Sequence, residues 1–148
     1  SGEALGAIGI PEVIDVLKKF EHDSTVEVAE TCQLALERIQ WLQNSQDSGD
    51  QPNSPYKSVD PAPPSAVTSV DELGRVLCDD SANLFERYKA MFALRNLRTK
   101  EAVRVLGTAL SKGSALFRHE VAFVLGQMQD PDGVPFLIQS LSNVNENE

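Results

Sequence analysis

Two adjacent residues in this chain could hold a metal or steer a cation: His119 and Glu120, within LFRHEVAFVLGQMQDP at residues 116–131. An imidazole nitrogen beside a carboxylate is a donor combination open to several divalent metals. On a helix turning about 100° per residue, His119, Ala122, Phe123 and Gly126 share one face, and Glu120 points about 100° away from His119. The pair therefore cannot face one small ion squarely, but it can serve two neighbouring ions. Gly126 costs about 1 kcal/mol against Ala inside a helix, so a bulkier side chain there would obstruct either a close helix contact or a space beside a site. The pair also has an ordinary explanation. A glutamate near a helix N-terminus complements the dipole, and histidine fills many half-buried positions. The only other histidine, His22 in FEHDS, lies at a polar helix end and is expected to be solvated.

The elements that must hold this pair are helices in a repeat. RYKAMFALRNL (87–97) lies over RHEVAFVLGQM (118–128) at an offset of 31 residues, matching Arg87 to Arg118, Phe92 to Phe123, Leu94 to Leu125 and Leu97 to Met128. The same offset sets Ala4, Leu5 and Ile8 on Ala35, Leu36 and Ile39. A period near thirty without strand patterning predicts stacked helical hairpins. At the positions equivalent to His119 and Glu120 the preceding repeat carries Tyr88 and Lys89, so the repeat fold itself does not require a histidine–glutamate pair.

Periodicity and breakers predict the end of a helix over residues 1–8, a helix opened by Pro11 and running to about Phe20, and one capped by Ser24 reaching about Leu42. Further helices are expected near 69–78, 82–97, 99–111, 114–128 and 132–142, with Ser81 and Ser114 as caps and Pro131 marking a break. Asp79 and Asp80 suit a hairpin turn or cap. The fold class is all-α, an α-solenoid of helical hairpins in two partial arrays. Residues 1–43 end the first array and 68–148 begin the second. A Pro/Ser-rich linker over 44–67 joins them, stiff at DPAPP because proline fixes φ. Tyr56 and Val59 are the candidates to anchor it.

The 148 residues carry a formal net charge of −9, which argues against a nucleic-acid or anionic-membrane surface and favours a cationic partner. Cys32 and Cys78 lie far apart within helical patterns, as small core residues do, with no zinc or disulfide spacing. The sequence holds neither a secretory signal nor an apolar run of membrane-spanning length, so a cytoplasmic location is expected.

GEALGAIGIPEV, VEVAETCQLALERIQWLQ, PYKSVDPAPP, LFERYKAMFALRN and GSALFRHEVAFVLGQMQD together resemble the deoxyhypusine hydroxylase family, in order and over nearly the whole chain. That resemblance implies two halves of HEAT-like hairpins holding a di-iron centre through four His–Glu pairs. It also implies O2-dependent hydroxylation of deoxyhypusine on translation initiation factor 5A, with O2 as co-substrate. On this resemblance His119 and Glu120 match the third pair. Glu120 would bind iron or meet the substrate's ammonium group, the sequence leaving both open. Gly126 would leave space for the slender substrate chain, with Gly6 as its counterpart after the second pair. Ser1 aligns just past the second pair and Glu148 stops before the fourth, so an internal segment with one pair of four is expected, inactive alone and open to self-association through its apolar ends. Pattern alone leaves room for a non-catalytic HEAT-repeat binding scaffold, or for a lyase-like repeat protein handling a pigment.

Overall fold

The structure is a computed structural model that describes residues 10–45 and 55–143. The helix end expected over residues 1–8, Gly6 within it, and the first half of the linker lie outside the described residues. The chain forms two compact units, Ser1–Gln51 and Pro52–Glu148, and every described regular element is helical.

In the first unit, α1 (Ile10–Phe20) and α2 (Val26–Ser45) form one hairpin. Pro11 sits in the first turn of α1, where its missing N–H is harmless. Glu12 opens that helix and Lys18 and Lys19 close it, each charge complementing the macrodipole. The expected cap at Ser24 moves by one residue. Thr25 takes the capping position, its carbonyl accepting from Ala29 N at 3.0 Å, because Asp23 Oδ1 accepts from Thr25 N at 2.8 Å and tightens the turn before it. Gln33 Nε2 donates to the carbonyl of Glu21 at 2.8 Å, tying α2 to the end of α1. Cys32 and Leu34 are the buried side chains of α2.

In the second unit an extended strap over residues 55–69 leads into α3 (Val70–Leu77), α4 (Leu84–Leu97), α5 (Lys100–Ala109), α6 (Ala115–Met128), a 3₁₀ turn (Pro131–Gly133) and α7 (Val134–Ser142). The 31-residue period is written into the backbone. α4 and α6 start and end in register, and the caps Asn83 and Ser114 recur at that spacing, as do Thr99 and Asp130. So do the left-handed residues Arg98 and Gln129, at φ 57° and 52°. Ser69 caps α3 through Glu72 N. Ser81 does not cap α4. Asp79 Oδ1 accepts from both Ser81 N (2.9 Å) and Ser81 Oγ (2.6 Å), so that serine is held in the hairpin turn and Asn83 caps instead, accepting from Phe85 N at 2.8 Å. These bonds also hold the Asp79 carboxyl below the ordinary range.

The core of this unit is formed by α3, α4, α5 and α6, including Leu73, Leu77, Met91, Leu94, Val103, Leu106, Phe117 and Val121, all at most 2% exposed. α5 and α7 meet so closely at Gly107 that a Cβ there would overlap the Phe136 ring. The strap is attached by its interior. Ala62 and Pro63 are buried, Ser65 N donates to the carbonyl of Lys89 at 3.0 Å, and Asp60 grips Arg95 of α4 through two bonds of 2.9 and 2.7 Å. Tyr56 lies 4.6 Å from the Arg95 guanidinium and 5.6 Å from that of Arg98. Val59, 85% exposed, anchors nothing; its side of the strap faces water because Ser58 and Asp60 turn inward to the polar partners. Replacing Arg95 by Met removes the guanidinium that faces the Asp60 carboxylate. Loss of one partner from such a pair costs about 3–5 kcal/mol, so urea denaturation of R95M should show a lowered midpoint and limited proteolysis should find residues 55–65 newly cleavable.

Candidate functional site

Ser114 starts the helix that carries the site. Its Oγ accepts from Phe117 N at 3.2 Å, and the wholly buried Phe117 fixes the first turn under the Arg87 guanidinium, 4.1 Å from the ring centroid. His119 and Glu120 follow in the second turn and leave the helix in different directions, as a 100° step requires. His119 is exposed and Glu120 is half-buried.

The helix carries two neighbouring stripes. His119, Phe123 and Gly126 form the outer one; Phe123 is 52% exposed, and a Cβ placed on Gly126 would meet no atom within 4 Å. Helix packing therefore does not explain this glycine, and space beside an open face does. The second stripe joins Glu120 to Gln127, seven residues on and about 20° away around the helix. Gln127 Oε1 accepts from Arg95 Nη1 at 3.0 Å and its Nε2 donates to Ser58 Oγ at 3.3 Å, while Ser58 Oγ donates to Asp60 Oδ1 at 2.7 Å. Glu120 thus sits beside a buried polar junction. Burial pushes its carboxyl above the ordinary range; the His119 side chain opposes that rise, Asp60 adds to it and Arg95 opposes it.

The equivalent face of α4 is closed. Tyr88, Phe92 and Arg95 stand one period before His119, Phe123 and Gly126, and none is more than 1% exposed. Phe117 of α6 packs on Tyr88, with centroids 6.2 Å apart, and the strap engages Lys89 and Arg95. The same repeat position is filled in one unit and left open in the next.

Of the residues expected in the site, His119, Glu120 and Gly126 share α6. His22 is solvent-exposed beside Glu21. Asp60, Arg95 and Gln127 were not foreseen; the available signals were an arginine within an apolar helix pattern, where the next repeat has glycine, and an aspartate within a proline strap. His119 and Glu120 offer an imidazole and a carboxylate of the type iron takes, and the space next to Gly126 would admit a ligand. Among the described residues no group of three His, Cys, Asp or Glu side chains is placed to hold a metal ion. Cys32 is buried; burial pushes the partly buried Cys78 thiol upward. No helix among the described residues is long and apolar enough to cross a membrane.

Stacked helical hairpins with this period define a HEAT-like repeat protein. The PBS lyase HEAT-like repeat matches residues 86–112 and 117–143. Over 99% of its length the chain is 57% identical to the deoxyhypusine hydroxylase of Gallus gallus and 54% identical to that of Homo sapiens, covering 48% of each. It is 52% identical to that of Drosophila melanogaster, over 100% of this chain and 49% of the relative. The structure of human deoxyhypusine hydroxylase in complex with glycerol superposes with a TM-score of 0.87 at 54% identity, covering 99% of this chain and 50% of that one. Over nearly its whole length the chain is homologous to deoxyhypusine hydroxylases. It spans about half the length of the curated relatives it matches.

The raised Glu120 carboxyl has a consequence for stability. A folded state that raises an acid's pKa binds more protons than the unfolded chain, so its stability falls as pH rises through that range. At about pH 7 the E120Q variant should melt at a higher temperature than the unsubstituted chain, and the two curves should converge below about pH 4, as followed by circular dichroism.

Proposed function

We propose that this chain contributes one wall of the site in a deoxyhypusine monooxygenase, a cytoplasmic enzyme that hydroxylates deoxyhypusine on translation initiation factor 5A to form hypusine. The observation that carries the reading is the open His119–Phe123–Gly126 face beside the half-buried Glu120, on a chain so similar to deoxyhypusine hydroxylases. On this reading residues 1–43 end one helical array, 44–67 link, and 68–148 begin the second.

Iron, when bound as a pair of ions, would supply the O2 activation that no protein side chain provides for an unactivated carbon. His119 would offer an imidazole nitrogen to one ion. Glu120 offers its carboxylate to an ion or to the ammonium end of the substrate, and the neighbouring Asp60–Arg95 pair is charge-neutral, so it leaves that carboxylate as the local negative group. Gly126 keeps the wall beside His119 free of side-chain atoms, which suits a slender aliphatic chain, and the family resemblance assigns Gly6 the counterpart role after the second pair. The formal charge of −9 draws a polycationic side chain from a distance, an effect that salt screens. One imidazole and one carboxylate hold metal weakly, so the chain by itself is expected to turn over no substrate.

A chimera tests this. The chain replaces the corresponding half of human deoxyhypusine hydroxylase, and iron content and hydroxylation are measured on the folded protein. The chimera should load iron and hydroxylate. Its H119A form should lose about 100-fold or more in both, since outer-shell changes already cost 10–100-fold. An H119A chimera with normal iron and activity would remove the residue from the site.

A further inference from the structure

The two arginines that α4 buries both reach α6, at opposite ends. Arg87, 5% exposed, donates from Nε to the carbonyl of Leu77 at 3.0 Å, pairs with Asp80 at 3.6 Å and covers the Phe117 ring. Arg95, fully buried, donates from Nη1 to Gln127 Oε1 while holding Asp60. Phe117 and Gln127 are separated by about 15 Å of helix at 1.5 Å per residue, and the His119–Glu120 step lies between them.

Resting on the reading of His119 and Glu120 as site residues, we propose that Arg87 and Arg95 are positioning residues that pin α6 to α4 at both ends and so set where the imidazole and the carboxylate project. Neither arginine need touch substrate or metal. Between the pins α6 packs through Val121, Val124 and Leu125, and apolar contacts are non-directional. They would tolerate a small rotation of the helix about its own axis. A rotation of about 20° moves a side-chain tip at about 5–6 Å from that axis by about 2 Å. Misplacement of about 1 Å can cost 10²-fold in a reaction that depends on geometry. A guanidinium stacked on a ring and one fixed by a fork of hydrogen bonds are directional, and they resist that rotation. The repeat does not pass the second pin along: one period after Arg95 stands Gly126, so the arm belongs to this pair of helices alone.

The test uses the whole chain with Q127L, which frees α6 from Arg95 and leaves the Arg95–Asp60 pair intact, and F117L, which keeps an apolar side chain but removes the ring under Arg87. Amide hydrogen exchange is compared between α6 and α5, and Co(II) is titrated while the His119 ring resonances are followed by NMR. In Q127L, amides over 118–126 should exchange about tenfold faster, the size expected for a lost hydrogen bond to a charged group, with α5 unchanged; F117L should do the same over the first two turns. Half-broadening of the His119 resonances should need about tenfold more Co(II) in either variant. Exchange unchanged in α6, or faster by the same factor in α5, overturns the pinning. If Co(II) leaves the His119 resonances of the unsubstituted chain untouched, the site reading fails separately, and the exchange ratio still decides whether α6 is pinned.

Discussion

A guanidinium shut away from water must find its partners in the protein, and Arg95 is that group here. Its Nε donates to Asn96 Oδ1, and its Nη atoms donate to Asp60 and Gln127, while Tyr56 and Phe92 lie within 4.9 Å of its charge. These partners come from three places: α4 itself, the strap and α6. The requirement to satisfy one cation therefore decides the course of the strap, closes one face of α4 and ties down the helix that bears His119 and Glu120. Apolar packing supplies most of the stability, but it does not say which way the strap must run.

The repetition is kept in the backbone and broken in the side chains. α4 and α6 have matching ends, matching cap positions and matching left-handed exits. Their corresponding faces differ because the side chains differ: a tyrosine, a phenylalanine and an arginine lie on the closed one, a histidine, a phenylalanine and a glycine on the open one. Phe92 and Phe123 occupy the same register, yet one is wholly buried and the other 52% exposed. A repeat that builds the same backbone twice thus uses one copy to hold the strap and leaves the corresponding face of the other open.

The carboxylate of Glu120 shows the tension between the two uses. Burial disfavours its charge, and the neutral Asp60–Arg95 pair nearby gives it little net help. A side chain chosen for stability alone would be uncharged there. Retaining a carboxylate at such a position is what a site for a cation needs, because a partly desolvated anion is poorly compensated until the cation arrives.

Local signals made the helices legible in the sequence. The 31-residue offset, the cap at Ser114, the proline at position 11 and the proline-rich break are read from a few neighbouring residues, because hydrogen bonding within a helix and its caps is local. The His119–Glu120 pair and Gly126 could be placed on their faces by rotation angle alone. Tertiary structure decided what those faces meet. Ser81 looked like a cap until Asp79 captured it, and Val59 looked like an anchor until Asp60 turned inward beside it. Asp60 and Arg95 lie 35 residues apart, and nothing local marks them as partners, since an ion pair depends on the path the chain takes between them. Periodicity reports how a residue sits on its own helix, whereas the open or closed state of a face depends on what the rest of the chain lays across it.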